Sequence, residues 1–125
     1  MEDDSLLDTL SVTPLPAIAG QRVACEVASK IDNLSSFEDA LISRFQSGHF
    51  PQSEQLEART QIWSVIDAVG SDSVQNARNR LLVCVVTDSG RFDDQLAEMI
   101  YYWAKIAGID DETVSAAIQS EIARW

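Results

Sequence analysis

Histidine is the scarcest chemical resource of this chain: one in 125 residues, beside two cysteines, three prolines and five glycines. The lone His49, in "SGHFP", leaves no histidine cluster for a metal triad, and neither a Ser-His-Asp arrangement nor a glycine-rich phosphate loop stands out. Cys25 ("RVACEVA") and Cys84 ("LLVCVV") both sit inside apolar runs and neither belongs to a C-x-x-C pair. Zinc or thioredoxin-type chemistry therefore has no support, and free buried thiols in a reducing cytoplasm are expected. No apolar stretch approaches the ~18 residues that span a bilayer. The opening "MEDDSLLDTL" is acidic, without the basic and apolar regions of a signal peptide. A cytoplasmic, non-enzymatic protein with no membrane insertion is the expectation.

Positive charge is also scarce. Nine Lys and Arg face 20 Asp and Glu, for a net charge of -11. Such a surface repels phosphate backbones, so direct nucleic-acid binding is not expected. It favours cations, a protein partner with a basic face, or simple solubility.

What is abundant is helical periodicity. Residues 1–16 read as an acidic lead with a turn or two of helix around Leu6, Leu7 and Leu10, broken by "TPLP". Residues 17–125 then read as one helical domain. Ile18, Val23, Val27 and Ile31 form a first stripe. "SSFE" opens the next helix as a capping box of Ser35 and Glu38, with Phe37, Leu41 and Phe45 following and Gly48 ending it. Pro51 begins a third helix whose buried side holds Leu56, Ile62, Trp63 and Ile66, ended by Gly70. Asp72 or Ser73 caps a fourth, carrying Val74, Ala77, Leu81, Cys84 and Val85. Its "LLVCVV" end is β-branched but continues the helical stripe, and no convincing second strand exists to pair with it. Asp93 caps a fifth helix with Leu96, Met99, Ile100 and Trp103 on one face, ended by Gly108. Asp110 caps the last, with Val114, Ala117, Ile118, Ile122 and Trp125 inward. The fold class is all-α, a compact bundle of six or seven helices.

Two segments, "RVACEVASKIDNLSSFEDALISRF" and "NRLLVCVVTDSGRFDDQLAEMIYYW", share one pattern: apolar helix, Asp, tight polar turn, amphipathic helix. The acidic turns supply the metal candidates, Asp32 and Glu38 in the first copy and Asp88, Asp93 and Asp94 in the second. Hard cations such as Ca²⁺ or Mg²⁺ take converging carboxylate oxygens. Counted from Asp88, however, the third and fifth positions are Gly90 and Phe92, so the EF-hand template fails. The competing reading makes Asp88 a helix end and Asp93 a helix cap. In "MIYYWAKI", three consecutive rings cover most of a helix circumference. Trp103 takes the buried stripe, and Tyr101 and Tyr102 become candidate partner anchors.

The stretch "LLVCVVTDSGRFDDQLAEMIYYWAKIAGIDDETVSAAIQSEI" resembles the TerB-like family of tellurite-resistance proteins, related to the N-terminal domain of the co-chaperone DjlA. "IDNLSSFEDALI" follows the same pattern more loosely. Ser89 is inserted between Asp and Gly, Asn33 stands for glycine in the first copy, and Gln95 or Asp94 stands at the family's glutamate. The resemblance implies an all-helical fold, no catalysis, divalent-cation binding through acidic side chains and a role in stress or metal-related complexes. The leading expectation is thus a non-catalytic acidic module that works through protein partners, with no cofactor beyond Ca²⁺ or Mg²⁺. The second is a small acidic inhibitor, immunity or assembly-chaperone protein, of the kind phages encode, that covers a basic surface on its target.

Overall fold

The two prolines of "TPLP" set the first boundary. In the computed structural model, which describes residues 2–31, 36–48, 52–69, 73–87 and 90–125, helix α1 (Glu2–Val12) stops just before them. Leu15–Pro16 (β1) then pairs antiparallel with Arg91–Phe92 (β2), Leu15 opposite Phe92 and Pro16 opposite Arg91. This ribbon was not expected from the sequence. Two residues on each side give no readable alternation, and Pro16, without an N–H, keeps the pair short. It ties the segment ahead of α2 to the segment ahead of α6, so Phe92 is fully buried.

The remaining helices are α2 (Ala17–Ala28), α3 (Ser36–Gln46), α4 (Gln52–Val69), α5 (Ser73–Val86), α6 (Asp94–Ile106) and α7 (Asp111–Arg124), making seven among the described residues. "LLVCVV" is the buried end of α5, as its phase predicts. Helices α2 and α5 form the centre of the bundle. The start of α2 meets the end of α5: Gln21 donates its Nε2 proton to the carbonyl of Val85 at 3.0 Å. Val23, Val27, Leu81, Leu82, Val85 and Val86 fill the space between and around them. Burial of each such side chain contributes about 1.5–3 kcal/mol.

Helix α7 packs on α2, α6 on α5, and α1 lays Leu6 and Leu10 against α6 and α7. Gly20 allows one close approach. A β-carbon there would stand 2.7 Å from Leu96 Cδ2 and 3.1 Å from the Phe92 ring, so only glycine lets α2 meet the ribbon and α6 at that distance.

Local end signals act as the sequence implies. Asp93 and Asp110 accept from the N–H groups of Leu96 and Thr113 at 3.1 and 2.9 Å. Gly108, at φ 92°, closes α6 in a Schellman motif, with Ile109 N–H bonded to Ala104 O and Gly108 N–H to Lys105 O. Gly48 takes φ 78° after α3. Ser35, Pro51, Gly70 and Asp72, expected at other helix ends, lie outside the described residues.

Four residues assigned inward face water. Leu56, Val74, Met99 and Trp125 are all exposed. On α6 the reason is phase: the buried line is Ala97, Ile100 and Ala104, one residue round from Leu96, Met99 and Trp103. The small alanines permit close helix packing, and the large side chains lie along its margins. On α4 the buried pair among the described side chains is Ala58 and Ile62, with Leu56 on the far side of the helix.

Candidate functional site

Of the acidic residues read as metal candidates, Asp32 and Asp88 lie outside the described residues, as does His49. Asp93 has both carboxylate oxygens engaged: Oδ1 caps α6 and Oδ2 accepts from Arg91 Nε at 3.3 Å. Asp94 stands beside it in the first turn of α6, half-buried. Glu38 is elsewhere. It is buried on α3 and takes Arg78 of α5 in a two-point ion pair, Nη2 to Oε1 at 2.6 Å and Nε to Oε2 at 3.2 Å. Arg78 lies eight residues before the end of α5, about 12 Å of helix, and β2 and Asp93 follow that end. The structure therefore does not bring Glu38 together with Asp93 and Asp94. Among the described residues, no three His, Cys, Asp or Glu side chains gather as a metal ion requires.

The two tyrosines part company. Tyr101 turns inward and shares a 2.7 Å hydrogen bond with Ser115 of α7. Tyr102 is exposed, its ring edge-on to Trp103 with centroids 4.9 Å apart. Behind Trp103 the contacts continue: the Arg80 guanidinium of α5 lies 5.4 Å from the Trp103 ring and 4.5 Å from that of Trp63 on α4. Both cysteines are buried, and burial pushes each thiol up to about 11, with Glu26 adding to the effect at Cys25. At neutral pH the nucleophilic thiolate is scarce at both.

Among the described residues a groove of about 1170 Å³ is walled by α2 and α7 and flanked by the end of α3 and Gln55 of α4. Ile18, Val23, Phe45, Ile109 and Ala117 give it apolar surface. Glu121 opens into it with only 7% of its side chain exposed, accepting from Trp125 Nε1 at 3.2 Å and standing 3.9 Å from both Arg22 and Arg124. On the α2 wall Lys30 pairs with Glu26 at 3.6 Å. Three cations (Arg22, Lys30 and Arg124) and four carboxylates (Glu26, Asp110, Glu112 and Glu121) line the groove, an excess of one negative charge, with Asp110 and Glu112 at the start of α7. The Thr113 hydroxyl and N–H both bind Asp110 and hold its carboxyl below the usual range.

Sequence periodicity did not single out this groove. Its signals were faint: Arg22, Glu26 and Lys30 repeat every four residues along α2 and just past its end, and α7 offers small Ala116, Ala117 and Ser120 opposite. No known family, curated protein or solved structure matches the chain.

Proposed function

We propose that this protein is a non-catalytic, acidic helical module that acts by binding a protein partner, with the α2–α7 groove as its docking site. The observation that carries the reading is the groove: about 1170 Å³, part apolar, with the carboxylates of Asp110 and Glu112 at one end. A helix with one apolar face and lysines or arginines along its edge suits such a surface. The net charge of -11 adds long-range attraction for a basic partner, and the likeness to TerB-like modules points the same way. An acidic inhibitor or assembly chaperone would use the same face, so the two roles differ in the partner's fate rather than in the contact. A divalent cation at the Asp93–Asp94 turn is the weaker part of the reading, since Asp93 is already held on both oxygens.

The test places a photo-crosslinking residue at the exposed Ser120 in the native host, identifies the protein captured, and measures its affinity. Ala116→Arg, which adds bulk and positive charge to the groove, is expected to weaken binding about tenfold or more, and added salt to weaken it further. A chelator is expected to leave it unchanged. Affinity indifferent to Ala116→Arg would reject the groove.

A further inference from the structure

Most of the scarce cations of this chain face a carboxylate: Arg22, Lys30, Arg44, Arg78, Arg91 and Arg124 all do. Arg80 is held by rings instead. Its guanidinium carbon lies 4.5 Å from the ring centroid of Trp63 on α4 and 5.4 Å from that of Trp103 on α6. Among the described residues, neither Arg80 nor Arg59 forms a salt bridge, although acids outnumber bases 20 to 9.

This stack joins three helices into one surface. On α4, Leu56, Arg59 and Trp63 stand at i, i+3 and i+7 and share a side. On α6, Met99, Tyr102 and Trp103 stand at i, i+3 and i+4, and Tyr102 meets Trp103 edge-on with centroids 4.9 Å apart. Arg80 of α5 bridges the two sides. Leu56, Met99 and Tyr102 are exposed, and Trp63, Arg80 and Trp103 are half-buried. None of these residues lines the α2–α7 groove.

The composition is that of an interface centre, where Trp, Tyr, Met and Arg are enriched. A guanidinium stacked on ring faces keeps its N–H donors at its edge, and a carboxylate matches that edge. Arg59, one turn before Trp63, adds a second positive charge. The patch is therefore apolar and locally positive on a chain whose net charge is -11. Rows of side chains on α4 and α6 form ridges into which the ridges of another helix fit.

We propose that the α4–α5–α6 face, centred on Arg80 between Trp63 and Trp103, is a second docking surface whose occupant is an acidic amphipathic helix of another protein. Leu, Ile or Phe on one side of that helix covers Leu56, Met99 and the Tyr102 ring. An Asp or Glu beside them takes the edge of Arg80, with Arg59 near it.

A phage library of peptides about 16 residues long, four to five helical turns, is selected on the immobilised full chain, and the selected peptides are synthesised for calorimetry. Peptides that bind the wild type and not Tyr102→Ala are expected to combine an apolar stripe at helical spacing with Asp or Glu. Arg59→Glu is expected to weaken these peptides about tenfold or more, and Arg80→Lys, which keeps the charge and loses the planar fork, about fivefold. Ala116→Arg in the groove is expected to leave them within about twofold. Tyr102 is exposed, so Tyr102→Ala is expected to melt with the wild type by circular dichroism, which separates a lost contact from a lost fold. No peptide that depends on Tyr102, peptides that depend on it without acidic residues, or affinity indifferent to Arg59→Glu would overturn the proposal. A dimer in sedimentation that Tyr102→Ala dissociates would give the face to a second copy of the chain and overturn it as well.

Discussion

Arg78 and Glu38, forty residues apart in the chain, form a two-point ion pair that fastens α3 to the central helix α5, with 13% and 2% of their side chains exposed. Two donors on two carboxylate oxygens give the bidentate geometry in which such a pair is strongest. Removing Glu38 takes a two-point counter-charge from a mostly buried guanidinium. Glu38→Ala is expected to destabilise the fold by about 3–5 kcal/mol in urea titration. The double variant Glu38→Leu with Arg78→Met is expected to recover most of that loss. If the single and double variants unfold at the same urea concentration, the pair has been misjudged.

Gly20 makes a prediction of opposite sign to simple helix propensity. Alanine inside a helix ordinarily gains about 0.5–1 kcal/mol over glycine. Here the new methyl would meet Leu96 Cδ2 at 2.7 Å and Phe92 at 3.1 and 3.3 Å. Leu96 is half-buried and able to swing aside, but Phe92 is fully enclosed and pinned by the ribbon. Overpacking of this kind costs about 1–3 kcal/mol. Gly20→Ala is expected to lower the melting temperature; a rise would show that Phe92 yields.

These positions show what sequence can and cannot reveal. Asp93, Asp110 and Gly108 were legible because a cap bonds within a few residues of itself. The helical phase of "LLVCVV" was legible for the same reason. The Glu38–Arg78 pair, the Leu15–Phe92 pairing and the stacking of Arg80 on Trp63 join distant segments, and no local rule announces them. The buried face of α6 was misplaced by one residue because large side chains were weighted over Ala97 and Ala104. The groove was harder still, since it depends on what α2 and α7 leave unfilled between them.

At Asp93 the cap and the cation readings separate cleanly. Its Oδ1 caps α6 and its Oδ2 meets Arg91. Asp93→Ala is expected to cost about 1 kcal/mol with or without divalent ions. Asp93→Asn, which keeps an acceptor, is expected to cost less. Calcium or magnesium at millimolar concentration is expected to leave the melting temperature of the wild type unchanged. A rise in that temperature with calcium, lost in Asp93→Ala with Asp94→Ala, would restore a metal site at this turn.

The thiols of Cys25 and Cys84 are both pushed up to about 11 by burial. Iodoacetamide at neutral pH is therefore expected to leave both unmodified in the folded protein and to alkylate both in denaturant. The pH dependence has a definite sign. A folded value above that of the unfolded chain means stability that is intact below the ordinary thiol range and lost as pH climbs toward 11. Cys84→Ala, which removes one titrating group, is expected to flatten that alkaline loss in urea titrations.

Asp110 gives the acid counterpart. Its carboxylate accepts from the Thr113 hydroxyl at 2.6 Å and from the Thr113 N–H at 2.9 Å, and both bonds hold its proton affinity below the ordinary value of 3.8. Because the folded value lies under the unfolded one, the cap's contribution is complete above 3.8 and is lost as pH falls through the lower folded value. Carbon-detected titration of the Asp110 carboxyl is expected to show a midpoint below 3.8. In Asp110→Asn the amide oxygen still accepts at the helix start but cannot titrate, so α7 is expected to keep its amide protection down the same pH range. Equal acid loss of α7 protection in Asp110→Asn and the wild type would place the acid-sensitive group elsewhere.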